Sequence, residues 1–134
     1  MPRKTDSNNP ADWLFFAEGD LEGLRALAEK QLAYEMCRSK LAEVLEKVVK
    51  AELIRMGWFL EKTHDLQKLA NELAAHGSDL MGTVKPLCNA LAEVYFSDRY
   101  PGFDLGEPEW PDLRAKLEEV TRLLEKVRAR VGGS

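Results

Sequence analysis

The feature that most constrains this chain is a long run between residues 32 and 55 that contains neither proline nor glycine. Apolar side chains recur in this run at helical spacing, at Leu41, Val44, Leu45, Val48 and Val49. Because an α-helix makes one turn in about 3.6 residues, that spacing places them on one broad face. Gly57 follows the run and is a suitable residue to end a helix. The run therefore predicts a long helix from Leu32 to Arg55.

Four other segments have helical spacing or helix-start signals. The first begins at Pro10 or Asp12, and the third has Thr63 as its N-cap and Asp65 in its first turn. The fourth begins near Thr83, with Pro86 tolerated in its first turn. The fifth carries a heptad-like series of apolar residues, Leu113, Leu117, Val120, Leu124, Val127 and Val131.

No segment alternates apolar and polar residues in the way that a half-buried strand does. The sequence therefore predicts an all-α fold, an antiparallel up-and-down helical bundle of four main helices plus a C-terminal helix. We expect residues 1–10 to form a flexible N-terminal lead, residues 11–131 a single helical domain, and residues 132–134 a flexible tail.

The composition argues against several classes of function. The formal net charge of −4 gives no overall attraction to DNA or to an anionic membrane. The two cysteines and the two histidines lack the spacing of a metal site, and no glycine-rich phosphate loop is present. No apolar run approaches the roughly 20 residues that span a bilayer. We therefore expect no metal and no cofactor, and a cytoplasmic location.

Two lysines on the long helix are candidates for binding a phosphate. Lys47 and Lys50 are three residues apart and therefore neighbours on one helical face. Each also follows a glutamate by four residues, Glu43 before Lys47 and Glu46 before Lys50. The alternative is therefore that both lysines only form ion pairs along the helix, which is the commoner arrangement.

Two further groups could contribute to an anion site. His64 and Asp65 lie at the predicted start of the third helix, where unpaired N–H groups and the helix dipole attract anions. Tyr95, Arg99 and Tyr100 close the fourth helix, where a ring and a guanidinium could stack on a base or hold a phosphate. The alternatives are a capping turn at His64 and a simple helix end at Arg99.

Taken in order, four short motifs resemble the HEPN family, a helical domain of higher eukaryotes and prokaryotes that binds nucleotides. They are WLFFAEGDL at residues 13–21, EKVVKA at 46–51, THDLQKL at 63–69 and RYP at 99–101. The resemblance implies that residues 11–131 form a HEPN-like helical domain. It also implies a dimer, and a nucleotidyltransferase as a protein partner. As nucleotide-binding residues it indicates Lys47, Lys50, His64, Asp65, Tyr95, Arg99 and Tyr100.

The chain also departs from the family pattern. Ribonuclease members have an arginine followed by a histidine after four to six residues, whereas no histidine follows Arg99 and eight residues separate Arg55 from His64. We therefore predict a non-catalytic module that binds a nucleotide, a partner nucleotidyltransferase or both. The alternatives are a diverged HEPN ribonuclease or toxin that uses Arg99 with His64, and a homodimeric scaffold without a small ligand.

The number of apolar positions predicts a homodimer. Phe15, Phe16, Trp58 and Phe59 add to the apolar faces of the helices, and a bundle of this size is not expected to bury all of them. We expect the chain to bind no membrane and no DNA.

Overall fold

The long run without proline or glycine forms the central helix of the protein. The computed structural model describes residues 7–92 and 108–132, and within these ranges it contains helices and no strand. The helices are α1 (Pro10–Glu29), α2 (Tyr34–Arg55), α3 (Leu66–Ala75), α4 (Met81–Leu91) and α5 (Trp110–Gly132). The prediction of an all-α fold is confirmed, and none of these helices is long and apolar enough to cross a lipid bilayer.

The helix α2 packs against each of the other four helices. Its second half is buried on all sides, because the residues from Val48 to Ile54 are all inaccessible to solvent or nearly so. Such a helix differs from an ordinary surface helix, which buries one stripe and exposes the other. Any charged residue in this half of α2 must therefore find a partner inside the protein.

The helix α5 runs antiparallel to α1 and parallel to α2. Along α1, Arg114 donates to the carbonyl of Ala28, and Arg128 of α5 pairs with Glu18 nearer the start of α1. Along α2, the ring of Tyr34 lies 5.1 Å from that of Trp110 where both helices begin. The C-terminal helix is therefore part of the core, in which its heptad positions from Leu113 to Val127 are buried.

The starts of α3 and α4 differ from the predictions in their details. Asp65, rather than Thr63, is the N-cap of α3, since its carboxylate accepts from the backbone N–H groups of Gln67 (3.0 Å) and Lys68 (3.2 Å). The helix α4 begins at Met81, so that Pro86 lies in its second turn rather than its first. Because proline has no N–H, the helix there lacks the bond to the carbonyl of Gly82.

The predicted stop of the long helix at Gly57 is confirmed. Gly57 and Gly77 have φ of +100° and +71°, the left-handed region that glycine adopts most easily. Gly57 directs the chain back along α2, and the next residue, Trp58, is buried. Of the four aromatic residues that the bundle was not expected to bury in full, Trp58 joins the hydrophobic core, whereas Phe15, Phe16 and Phe59 remain exposed.

Candidate functional site

A buried carboxylate on α2 is the centre of the candidate site. Glu46 accepts a hydrogen bond from the Nζ of Lys50 at 3.0 Å, and its two oxygens lie 3.2 and 3.0 Å from the Nδ1 of His64. His64 reaches Glu46 because the segment between α2 and α3 turns back along α2. We call Glu46, Lys50 and His64 the Glu46 cluster.

Lys50 is held inside the protein and does not face solvent. Its side chain is 3% exposed, and its Nζ lies 5.0 Å from the centre of the Trp13 ring. A lysine ammonium is attracted both to a carboxylate and to the face of an aromatic ring. Trp13 is in turn fixed by a 2.8 Å hydrogen bond from its Nε1 to the carbonyl of Ser7. A phosphate could reach Lys50 only by disrupting these contacts.

His64 is the exposed member of the Glu46 cluster, with 80% of its side chain accessible. A carboxylate only accepts hydrogen bonds, so the contact with Glu46 places a proton on Nδ1. The other ring nitrogen, Nε2, is then the one that can accept or donate a proton. A carboxylate that orients an imidazole in this way is a common arrangement at binding and catalytic sites.

Lys47 lies apart from the Glu46 cluster and pairs with Asp20 of α1. The expected pairing of Glu46 with Lys50 is confirmed, but that of Glu43 with Lys47 is wrong, since Glu43 pairs with Lys40 at 2.8 Å. The reason is the packing of α1 against α2. Lys47 is on the side of α2 that faces α1, where a carboxylate of another helix is available.

The other predicted site residues are distributed as follows. Asp65 caps α3, so its carboxylate is occupied by backbone N–H groups. Tyr95, Arg99 and Tyr100 lie outside the described residues, and their position relative to His64 stays a prediction. The structure thus brings Lys50 and His64 together through Glu46 and directs Lys47 toward α1.

A second buried carboxylate of α2 forms a separate cluster. Glu52 binds the guanidinium of Arg55 at 2.6 Å and that of Arg130 in α5 at 2.6 Å. Arg130 also binds Asp79, between α3 and α4, through two hydrogen bonds. Burial alone would raise the pKa of Glu52, but the hydrogen bonds from the two arginines prevail and hold the pKa below its ordinary value. We call these four residues the Glu52 cluster.

Glu46, Glu52 and Trp13 were not among the predicted site residues, although the sequence contains a signal for the two glutamates. Apolar residues between positions 44 and 54 occupy every side of the helix, at Val44, Leu45, Val48, Val49, Ala51, Leu53 and Ile54. A helix that is apolar all round is buried, and its glutamates are then buried with it.

Several large apolar side chains remain exposed. Phe15 and Phe16 lie near the start of α1, with ring centres 5.7 Å apart in an edge-to-face arrangement. Phe59 follows the end of α2 and is 84% exposed. The backbone N–H of the next residue, Leu60, donates to the side chain of Asn8 at 3.1 Å, which ties this segment to the start of α1. We call Phe15, Phe16 and Phe59 the aromatic surface.

The described residues contain no group of three or more histidine, cysteine, aspartate or glutamate side chains that could hold a metal ion. Burial raises the pKa of the Cys88 thiol to about 12, which keeps it protonated at neutral pH.

The comparison with known protein families matches residues 10–130 to the HEPN domain. Neither the curated proteins nor the solved structures contain a match to this chain. The matched range includes all five helices except the last two residues of α5, and with them both glutamate clusters. The chain therefore belongs to the HEPN domain family.

Proposed function

We propose that this protein is a non-catalytic HEPN module that acts by binding a protein, and that a nucleotidyltransferase is the partner. The observation that carries the proposal is the aromatic surface, in which Phe15 is 64% and Phe59 is 84% exposed. Large aromatic side chains supply much of the binding energy of protein interfaces. A nucleotidyltransferase is the partner that the family resemblance implies.

The charges of the candidate site also favour a protein over a nucleotide as the principal ligand. Lys50 is neutralised by Glu46, and Lys47 by Asp20. Binding a phosphate at either lysine would leave a carboxylate without its cation, and for the buried Glu46 this loss is costly. The aromatic surface requires no such exchange of partners.

Titration calorimetry with a small nucleotidyltransferase from the same organism tests the proposal. We expect binding by the wild type and a loss of affinity of at least about tenfold in the double variant Phe15→Ser/Phe16→Ser. The double variant Leu32→Ser/Met36→Ser is the matched control, since it removes two exposed apolar side chains at the other end of α1. Equal affinities in the two double variants, or no binding by the wild type, would contradict the proposal.

The homodimer also stays a prediction, and it is tested separately. Light scattering at high micromolar concentration should give twice the mass of one chain. A monomeric mass at that concentration would refute the dimer and leave the binding of a nucleotidyltransferase to be tested by calorimetry.

A diverged HEPN ribonuclease is the second candidate, and the contact between Glu46 and His64 is the observation that favours it. A carboxylate-bound imidazole with an exposed ring can transfer the proton that RNA cleavage requires. The proposed function predicts no cleavage of RNA by the purified protein. Cleavage that disappears in His64→Ala and weakens in Glu46→Gln would establish the ribonuclease instead.

A further inference from the structure

A cavity of about 360 Å³ lies between the first turns of α4 and one side of α5. It is separate from the Glu46 cluster and from the aromatic surface. Pockets for small molecules have volumes of roughly 300–1,000 Å³, so this one is large enough for a small metabolite and little more. Leu80 and Leu123 contribute apolar walls, and the polar side chains at the cavity are those of Thr83, Glu119, Arg122 and Lys126.

Two cations of α5 border the cavity without an ion pair in the part of the chain that the structure describes. Arg122 and Lys126 are four residues apart, so their like charges are neighbours on one helical face. Such a pair destabilises a helix slightly unless an anion lies between the charges. Arg128 and Arg130 of the same helix are different, since each has a carboxylate partner.

The chemistry of this pair suits a phosphate. An arginine offers a planar fork of donors to two phosphate oxygens, and a lysine adds a compact positive charge. Thr83, whose hydroxyl can donate to a third oxygen, lies on the opposite side of the cavity in α4.

Two acceptors at the same cavity would repel a bare anion. One is the carboxylate of Glu119, three residues before Arg122. The other is the carbonyl of Gly82, a residue that lines the cavity, which lacks the usual helical bond from four residues on because residue 86 is proline. A ligand that satisfies both the cations and these acceptors must carry a hydrogen-bond donor beside its phosphate.

We propose that this cavity binds a small phosphate ester that carries an amino or hydroxyl group. Arg122 and Lys126 bind the phosphate, and the carboxylate of Glu119 accepts a hydrogen bond from the amino or hydroxyl group. The proposal is independent of the protein partner suggested above, because the cavity includes no residue of the aromatic surface.

Nuclear magnetic resonance titration of the ¹⁵N-labelled protein with O-phosphoethanolamine tests the site. We expect saturable shifts at the backbone amides of Gly82 and Thr83, and an affinity at least about tenfold lower in Arg122→Ala/Lys126→Ala. Both side chains are on the surface, so we expect the variant to fold. The dispersion of its amide signals in the same spectra checks this.

The matched control is Lys30→Ala/Lys85→Ala, which removes two positive charges from exposed lysines that do not line the cavity. Its affinity should remain within about twofold of the wild type. An equal loss in both double variants would mean that the probe responds only to overall charge, and the proposal would be wrong. The absence of shifts at Gly82 and Thr83 in the wild type would also overturn it.

The role of Glu119 is tested by comparing two probes. The wild type should bind O-phosphoethanolamine more tightly than inorganic phosphate. Glu119→Gln should remove this preference but still bind inorganic phosphate. If the preference is unchanged in Glu119→Gln, the assignment of Glu119 to the amino group is refuted.

Discussion

Glu46 and Glu52 lie on the same helix and are both buried, but they are neutralised in different ways. The side chain of Glu46 is 6% exposed and that of Glu52 is 1% exposed. Glu52 is bound by two arginines, which keep their charge at every pH that proteins tolerate. Glu46 is bound by one lysine of its own helix and by the exposed imidazole of His64, each at 3.0 Å.

The difference indicates different roles for the two clusters. Through Arg130, the Glu52 cluster joins α2, α5 and the turn before α4, so it fixes the arrangement of three elements. The Glu46 cluster joins α2 to one exposed imidazole in a loop. The first is suited to holding the fold, and the second presents an exposed side chain that a ligand can reach.

The largest effect that would distinguish the clusters is expected for Glu52→Gln. Removal of this charge leaves Arg55 and Arg130 without their buried partner, and we expect a loss of about 3 kcal/mol in the free energy of unfolding. Urea denaturation measures it. Glu18→Gln, which breaks the exposed pair with Arg128, is the control and should cost less than about 0.5 kcal/mol. A similar cost in both variants would contradict a structural role for Glu52.

A smaller effect is expected for Lys50→Met in the Glu46 cluster. The buried carboxylate of Glu46 then loses the ammonium that lies 3.0 Å from it, and we expect a loss of about 2 kcal/mol in the free energy of unfolding. In the double variant Glu46→Gln/Lys50→Met neither charge remains, and its cost should be below the sum of the two single variants. Costs that simply add in urea denaturation would mean that the pair is not coupled.

The pH dependence of stability should separate the clusters further. The pKa of Glu52 is lower in the folded protein than its ordinary value, so this group stabilises the fold above its unfolded pKa. That contribution is lost as the pH falls through the lowered pKa of the folded state. We therefore expect the loss of stability between pH 6 and acid conditions to be smaller in Glu52→Gln than in the wild type.

Urea midpoints measured at a series of pH values give this difference. The control is Glu18→Gln, which also removes one carboxylate, but from an ion pair at the protein surface. Parallel curves for the wild type and Glu52→Gln would show that Glu52 does not contribute to acid unfolding.

The smallest effect is expected for His64→Ala. Because 80% of this side chain is exposed, its loss should change the free energy of unfolding by less than about 0.5 kcal/mol. Thermal and urea denaturation together measure it. A loss above about 2 kcal/mol would place His64 with Glu52 among the groups that hold the fold, and the contrast between the clusters would disappear.

The sequence was a good guide to local structure. The long helix was predicted from Leu32 and begins at Tyr34, because the spacing of its apolar residues and its final glycine are local features. Pro86 was misplaced for a related reason. Proline is common in the first turn of a helix, and only the tertiary structure shows that α4 begins two residues earlier than predicted, at Met81.

The site was harder to predict because it depends on which helices meet. The spacing along α2 indicates that Lys47 can reach Glu43, but α1 supplies Asp20 and changes the pairing. His64 was predicted as a site residue, and its contact with Glu46 requires the chain to turn back along α2 after Gly57. The spacing of residues along one helix cannot predict such a contact.

The direction of α5 has a consequence for how the protein is made. This helix packs on α1 through contacts such as that of Arg128 with Glu18, which are 110 residues apart in the chain. Contacts of such long range form late in folding, because a long stretch of chain must first be ordered. At a synthesis rate of about 5–20 residues per second, α1 and α2 are complete several seconds before α5. We therefore expect the side of the α1–α2 hairpin that α5 covers in the folded protein to stay accessible to solvent until α5 is synthesised.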